Sequence, residues 1–411
     1  MIRFERFTLA NGFNVIVHED DSSPLVALNV LFRAGSIYDP PGRSGLAHLF
    51  EHLMFSGTEQ VPDYDVPVQM AGGENNAFTN ADFASYFCYS PRQNLETLLW
   101  LEADRLEALQ VSEKSLAIQK QVVIEEYFET CLNIPFGDVW HHILPAVYNG
   151  HPYHWPTIGR NEREIGSISL EDINKFSRQY YHPGNSIISL AGNVKADEAL
   201  RLIEKWFGEV QHRGERAAPL PYDFLEYKSE HLEISQEVPA RTFYMIFPMS
   251  ARTDAKYYVF DLISDILASG RSALLFSTLI KDKALLSQVD AYITGTNESG
   301  LFVIEGQLLP GVEFNQVYPV VWDEVNKIQN GFVDKNLFEK LINTVETNLA
   351  ISESSVLHKV MSLAYFEALG DADLINTEID RYKQVTVDDL RQTLQEYINR
   401  GRCTTLEYHP A

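Results

Sequence analysis

Apolar positions along the chain alternate in some stretches and recur every three to four residues in others. Phe7-Thr8-Leu9 and Phe13-Asn14-Val15-Ile16-Val17 flank Asn11-Gly12, which predicts a hairpin. Leu25 to Phe32 is a longer strand-like run, and from Gly42 to Ser56 the pattern changes to helical periodicity. Amphipathic helices are predicted over Asn94 to Leu109 and Ser112 to Glu129. Ser169-Leu170-Glu171-Asp172 has the form of a helix start, a capping serine followed by acids in the first turn. Ile187 to Ala191 is a short apolar strand.

The pattern breaks at Arg213-Gly214-Glu215-Arg216-Ala217-Ala218-Pro219-Leu220-Pro221, where charge, glycine and two prolines mark a linker. Beyond it the order begins again, with Thr242 to Phe247 strand-like and Tyr257 to Ala268 helical. The segment His48 to Gly57 overlays Asp261 to Gly270 in its apolar positions, although its polar residues do not match. We therefore expect an α+β chain of two similar domains, over 1–212 and 225–411, joined by a linker over 213–224. Each domain is expected to be a mostly antiparallel sheet covered by helices, and only the first to carry chemistry.

That chemistry is concentrated in Gly45-Leu46-Ala47-His48-Leu49-Phe50-Glu51-His52-Leu53-Met54-Phe55. On a helix, positions i, i+3 and i+4 share a face, so His48 and His52 present two imidazoles to one ion with Glu51 beside them. Two neutral imidazoles and a third protein ligand suit Zn2+ and leave a position for water. Glu51 is then placed to act as general base toward that water. With 12 histidines in 411 residues, such an H-x-x-E-H spacing arises by chance about 0.03 times in the chain, which favours a built site. The third ligand is sought in Gln119 to Glu129, where Glu126 and Glu129 both share a helical face with Val122 and Val123. Periodicity does not choose between them. His141-His142 and His151-x-x-His154 lie among Trp140, Pro152, Tyr153 and Trp155 and read as an aromatic loop, not a second metal site.

Composition narrows the function classes. The 33 Lys and Arg against 57 Asp and Glu leave a net charge of -24, the wrong balance for a nucleic-acid surface and a suitable one for cationic ligands such as basic peptides. Three widely separated cysteines exclude a disulfide framework and a thiolate zinc site. No phosphate-binding glycine loop and no serine nucleophile elbow occurs. A charged N-terminus and the lack of a long apolar run point to a cytoplasmic chain without a membrane span, or a periplasmic one if a signal has been removed.

The chain resembles the pitrilysin family of inverted-motif zinc metallopeptidases, of the two-domain bacterial type, and is similar to the mitochondrial processing peptidase beta subunit. Beyond His48 to His52, the resemblance rests on Gly72 to Asn80, Val122 to Glu126, Tyr180 to Asn185 and Ala191 to Val194. It implies that Glu126 is the third ligand and that position 119, here Gln119, supports the site by hydrogen bonding. It also implies that Asn76, Ala77, Phe78, Thr79 and Asn80 form an edge strand that binds the substrate backbone. An open edge pairs with an extended peptide through backbone hydrogen bonds. The family builds a clamshell of four such domains, of which this chain would supply half. Complete members carry an Arg and a Tyr seven apart in the second half; the alignment puts Lys281 and Gln288 at those positions, and either Arg271 or Tyr292 substitutes in another register, or a second chain supplies the pair. The expected activity is endoproteolysis of peptides or unfolded segments. The expected assembly is a heterodimer with a homologous subunit carrying the Arg/Tyr pair, or a homodimer. The alternative is a non-catalytic or structural subunit that retains zinc.

Overall fold

The structure, a computed structural model, describes residues 1–212, 214, 227 and 229–411. The expected linker over 213–224 lies, apart from Gly214, outside the described residues. The chain divides into two compact units. One takes in Met1–Glu129, Trp155–Pro221 and Ala350–Thr377; the other takes in Thr130–His154, Tyr222–Leu349 and Glu378–Ala411.

The first unit is built on six strands, β1 (Glu5–Thr8), β2 (Asn14–Glu19), β3 (Leu25–Phe32), β4 (Glu74–Thr79), β5 (Ala84–Pro91) and β6 (Ser186–Gly192), in the order β1-β2-β6-β3-β5-β4. Only β2 and β6 run parallel. The expected hairpin is β1–β2, closed where Leu9 donates its N–H to the Phe13 carbonyl at 3.0 Å and Gly12 takes φ +99°. β3 and β6 are buried almost throughout because helices cover both faces, which is why they read as continuous apolar runs. The helix Val356–Leu369, from late in the chain, covers one face: Val360 packs on Ala27 and Ala191, and Leu363 and Ala364 join Ile16, Leu31 and Ile187.

Among the described residues, the second unit has five strands, β7 (His231–Gln236), β8 (Thr242–Pro248), β9 (Leu286–Ile293), β10 (Leu301–Leu308) and β11 (Thr404–Pro410), in the order β7-β11-β8-β10-β9. Again one pair, β7 and β11, is parallel. Without β1, the first sheet has the same order: first strand, last, second, fourth, third. The helix Leu46–Leu53 follows β3 as the helix Lys256–Ala268 follows β8. Phe243, Phe247, Phe260, Leu262, Phe302 and Val321 lie in the core of this second unit. Two similar α+β units with mostly antiparallel sheets are thus present, as expected.

Candidate metal centre

The motif helix Leu46–Leu53 is short and firmly set. Leu46, Ala47, Leu49, Phe50 and Leu53 are buried, which turns His48, Glu51 and His52 to the remaining face. Its start is fixed by Asp39, whose carboxylate accepts from the Gly45 N–H at 2.8 Å and the Ala47 N–H at 2.9 Å. Gly45 holds φ +88°, and a Cβ there would lie 2.7 Å from the Ile158 carbonyl oxygen, so glycine is required twice over.

The helix Glu113–Tyr127 brings Glu126 to the two imidazoles. Ser112 caps it by accepting from the Ser115 N–H, and Leu116, Val123 and Tyr127 bury its inner face. Glu126 Oε1 lies 3.8 Å from His48 Nε2, and Glu126 Oε2 lies 3.4 Å from His52 Nε2. The imidazoles meet edge to face at 4.8 Å. Directly after Tyr127 the chain widens into a π-helical turn over Phe128–Leu132, and Glu129 on that turn is exposed. The geometry therefore separates the two glutamates that periodicity leaves equal.

Two imidazoles and a carboxylate suit zinc. Around a tetrahedral zinc with bonds of about 2.0–2.2 Å, ligand atoms stand about 3.3–3.5 Å apart. The separations to Glu126 of 3.4 and 3.8 Å are close to this, so the residues fit the ion. Burial pushes His48 down to about 4, against the opposing pull of Glu126, which keeps its ring neutral and able to ligate. The hydrogen bond from His52 holds the Glu126 carboxyl below its ordinary value.

Glu51 stands next to the ligands without being one of them. Burial raises its carboxyl, while the Thr79 hydroxyl, donating to Oε2 at 2.6 Å, opposes that rise. The positive charge of Arg105 acts on it in the same sense as Thr79. Arg105 is itself buried: it pairs with Glu102, and its guanidinium lies 4.6 Å from the ring centres of both Tyr64 and Tyr86. Neither Arg105 nor Asp39 stood out in the sequence. Arg105 reads there as one more charge on an amphipathic helix, and Asp39 as part of a proline-rich turn.

The other expected site residues are distributed as follows. β4 is an edge strand, paired only with β5, and Asn76, Ala77, Phe78 and Thr79 lie on it. Phe78 is 36% exposed. Asn80 follows the strand, and its side chain accepts from the Asp82 and Phe83 N–H groups, holding the turn. Gln119 lies on the Glu126 helix and makes no side-chain hydrogen bond among the described residues. His142 pairs with Asp138 at 3.0 Å, and His151 packs on Tyr148 and Tyr153 in an aromatic cluster. Lys281 lies in the last turn of a π-helical segment over Phe276–Asp282, and Gln288 sits exposed on β9. Among the described residues, no helix is long and apolar enough to cross a membrane.

Residues 14–159 match the family model described as insulinase (peptidase family M16), and residues 167–345 match the one described as peptidase M16 inactive domain. The zinc protease PqqE of Helicobacter pylori is 28% identical over 417 residues, covering 99% of this chain and 93% of its own. The mitochondrial-processing peptidase subunit beta of Caenorhabditis elegans is 29% identical over 208 residues, covering 50% of this chain and 44% of its own. The crystal structure of a protease from Helicobacter pylori superposes with a TM-score of 0.93 at 25% identity, covering 100% of both chains.

Proposed function

Because the chain belongs to the insulinase (M16) family of zinc peptidases, we propose that it is an endopeptidase cleaving peptides or unfolded segments, with His48, His52 and Glu126 as zinc ligands and Glu51 as general base. The observation that carries this reading is Glu51 itself: a half-buried carboxylate beside the ligand cluster, with one oxygen held by Thr79 and the other making no hydrogen bond among the described residues. Bound zinc supplies a Lewis acid and a water of lowered pKa. With zinc in place, the Glu51 oxygen that Thr79 does not hold would be the group to accept a proton and return it to the leaving amine. Burial favours this by keeping the carboxylate more basic than in water.

β4 offers its unpaired edge to an extended substrate backbone, with Asn76 to Thr79 along it and Asn80 at its end. Backbone pairing tolerates varied sequences, and the net charge of -24 favours basic ones. The partner reading rests on Lys281 and Gln288. Lys lacks the planar fork of Arg, and Gln lacks a phenol. A homologous subunit carrying that pair would complete the site in a heterodimer; a homodimer requires no such pair. A second reading, a zinc-retaining subunit without activity, is favoured by the same two residues and by the inactive-domain match over 167–345.

One experiment separates these readings. The purified chain is incubated with zinc and an unstructured basic peptide, alone and with a candidate homologous subunit, beside Glu51→Gln. Cleavage that persists in Glu51→Gln sinks the general-base role. Cleavage only with the second subunit supports the heterodimer, and cleavage by the chain alone supports the homodimer. Zinc bound without cleavage under any condition supports the inactive subunit.

A further inference from the structure

In the second unit, two carboxylates and two imidazoles share one face of the parallel pair β7 and β11. The register sets Thr405 beside His231, Glu407 beside Glu233 and His409 beside Ser235. A strand's period of two places His231, Glu233, Thr405, Glu407 and His409 on the same side. Glu233 and Glu407 are thus like charges side by side, an arrangement that repels. Among the described residues no Lys or Arg pairs with either. Their ion-pair partners are His231, 3.0 Å from Glu233 Oε1, and His409, 3.6 Å from Glu407 Oε2.

One ligand atom each from His231, Glu233 and Glu407 lies within 4.8 Å of the other two. Two further hydrogen bonds aim the donors. His231 Nδ1 lies 2.6 Å from Thr405 Oγ1, which leaves Nε2 facing the carboxylates. Glu407 Oε1 accepts from the Tyr318 hydroxyl at 2.7 Å, and Glu407 is only 6% exposed. His409 Nε2, on the far side of Glu407, is buried and makes no hydrogen bond. Metal-bound histidines commonly engage an oxygen through the other ring nitrogen, and ligating carboxylates are themselves hydrogen-bonded. Both features are built here without a catalytic use for them.

We propose that this face is a second divalent-metal site, with His231, Glu233 and Glu407 as ligands, distinct from the His48, His52 and Glu126 set. An imidazole and two carboxylates suit Zn2+ and its first-row neighbours, and three protein ligands leave room for water. A cation there relieves the repulsion between Glu233 and Glu407 and ties the edge strand β7 to β11.

The test is a titration of the metal-stripped full chain with Zn2+ in competition with a chromophoric chelator. The unmodified chain is expected to take up two equivalents. The double variant His231→Ala, Glu233→Gln, whose residues are exposed and whose fold is checked by circular dichroism, takes up one. The double variant His48→Ala, His52→Ala also takes up one. Thr405→Val retains both sites but weakens the second by about tenfold, the usual cost of removing such a supporting hydrogen bond. A single equivalent in the unmodified chain overturns the proposal, as does a second equivalent that survives His231→Ala, Glu233→Gln. A chain that binds one equivalent, lost on His48→Ala, His52→Ala, overturns this proposal and leaves the catalytic centre standing.

Discussion

Thr79→Val tests whether the strand proposed to receive substrate also sets the carboxyl proposed as general base. The two side chains have nearly the same shape, so β4 and its pairing with β5 are preserved. What is lost is the hydroxyl that donates to Glu51 Oε2 at 2.6 Å. A hydrogen bond to a charged group contributes about 1.5–3 kcal/mol. Removed from a carboxylate, it favours the protonated form by the same amount, which is about one to two pH units at 1.36 kcal/mol each. The sign follows from the two opposing influences on Glu51: burial raises it, Thr79 lowers it, so deleting Thr79 raises it further. Bound zinc moves the absolute position in both proteins alike and leaves their difference.

The expected result is that the acid limb of kcat/KM moves up by about one to two pH units in Thr79→Val. At pH values on that limb, kcat falls by about ten- to a hundredfold, while KM, set by backbone pairing, changes little. Thr79→Ser restores the hydroxyl and most of the activity. The assay is hydrolysis of a quenched fluorescent peptide between pH 5 and 9, with zinc content measured in each protein. A Thr79→Val enzyme with an unshifted acid limb and an unchanged kcat would refute the coupling of strand to base.

Glu126→Gln should weaken zinc binding by at least about tenfold, whereas Glu129→Gln on the exposed turn should leave it unchanged; chelator competition measures both. Gly45→Ala should destabilise the chain by about 1–3 kcal/mol in urea unfolding, because φ +88° and the Ile158 carbonyl both oppose a Cβ. Chelation should abolish cleavage while far-ultraviolet circular dichroism stays unchanged, since the proposed ligands sit on helices held by apolar packing; added zinc should restore activity.

The sequence was most legible where one pattern decides one element. The continuous apolar run from Leu25 to Phe32 coincides with β3, and the helix starts at Ser112 and Ser169 are legible because a capping side chain is local. The helix Val356–Leu369 marks the limit. Its apolar stripe shows that it packs, but nothing in the stripe says that it packs on β3 and β6, more than 150 residues away in sequence. Glu126 and Glu129 mark another. Ideal periodicity keeps them on one face, and only the π-helical turn after Tyr127 carries Glu129 away. Arg105 and Glu102 read as a polar helical face, yet they are buried as a pair among aromatic rings.

The repeat shows what a scaffold does and does not carry. The overlay of His48 to Gly57 on Asp261 to Gly270 is weak as sequence, but the common strand order starts both segments on equivalent helices, the one after β3 and the one after β8. Equivalent positions then hold different chemistry. Where His48 and His52 stand in one unit, Asp261 and Asp265 stand in the other. Asp261 accepts from the Tyr382 hydroxyl at 2.6 Å, and Asp265 is pushed up to about 6 by burial and by its neighbour Asp261. Those acids hold their unit together by hydrogen bonding and offer no imidazole to a metal. The same backbone therefore supports a candidate metal centre in one half and a structural polar cluster in the other, and the difference lies in a few side chains on one helical face.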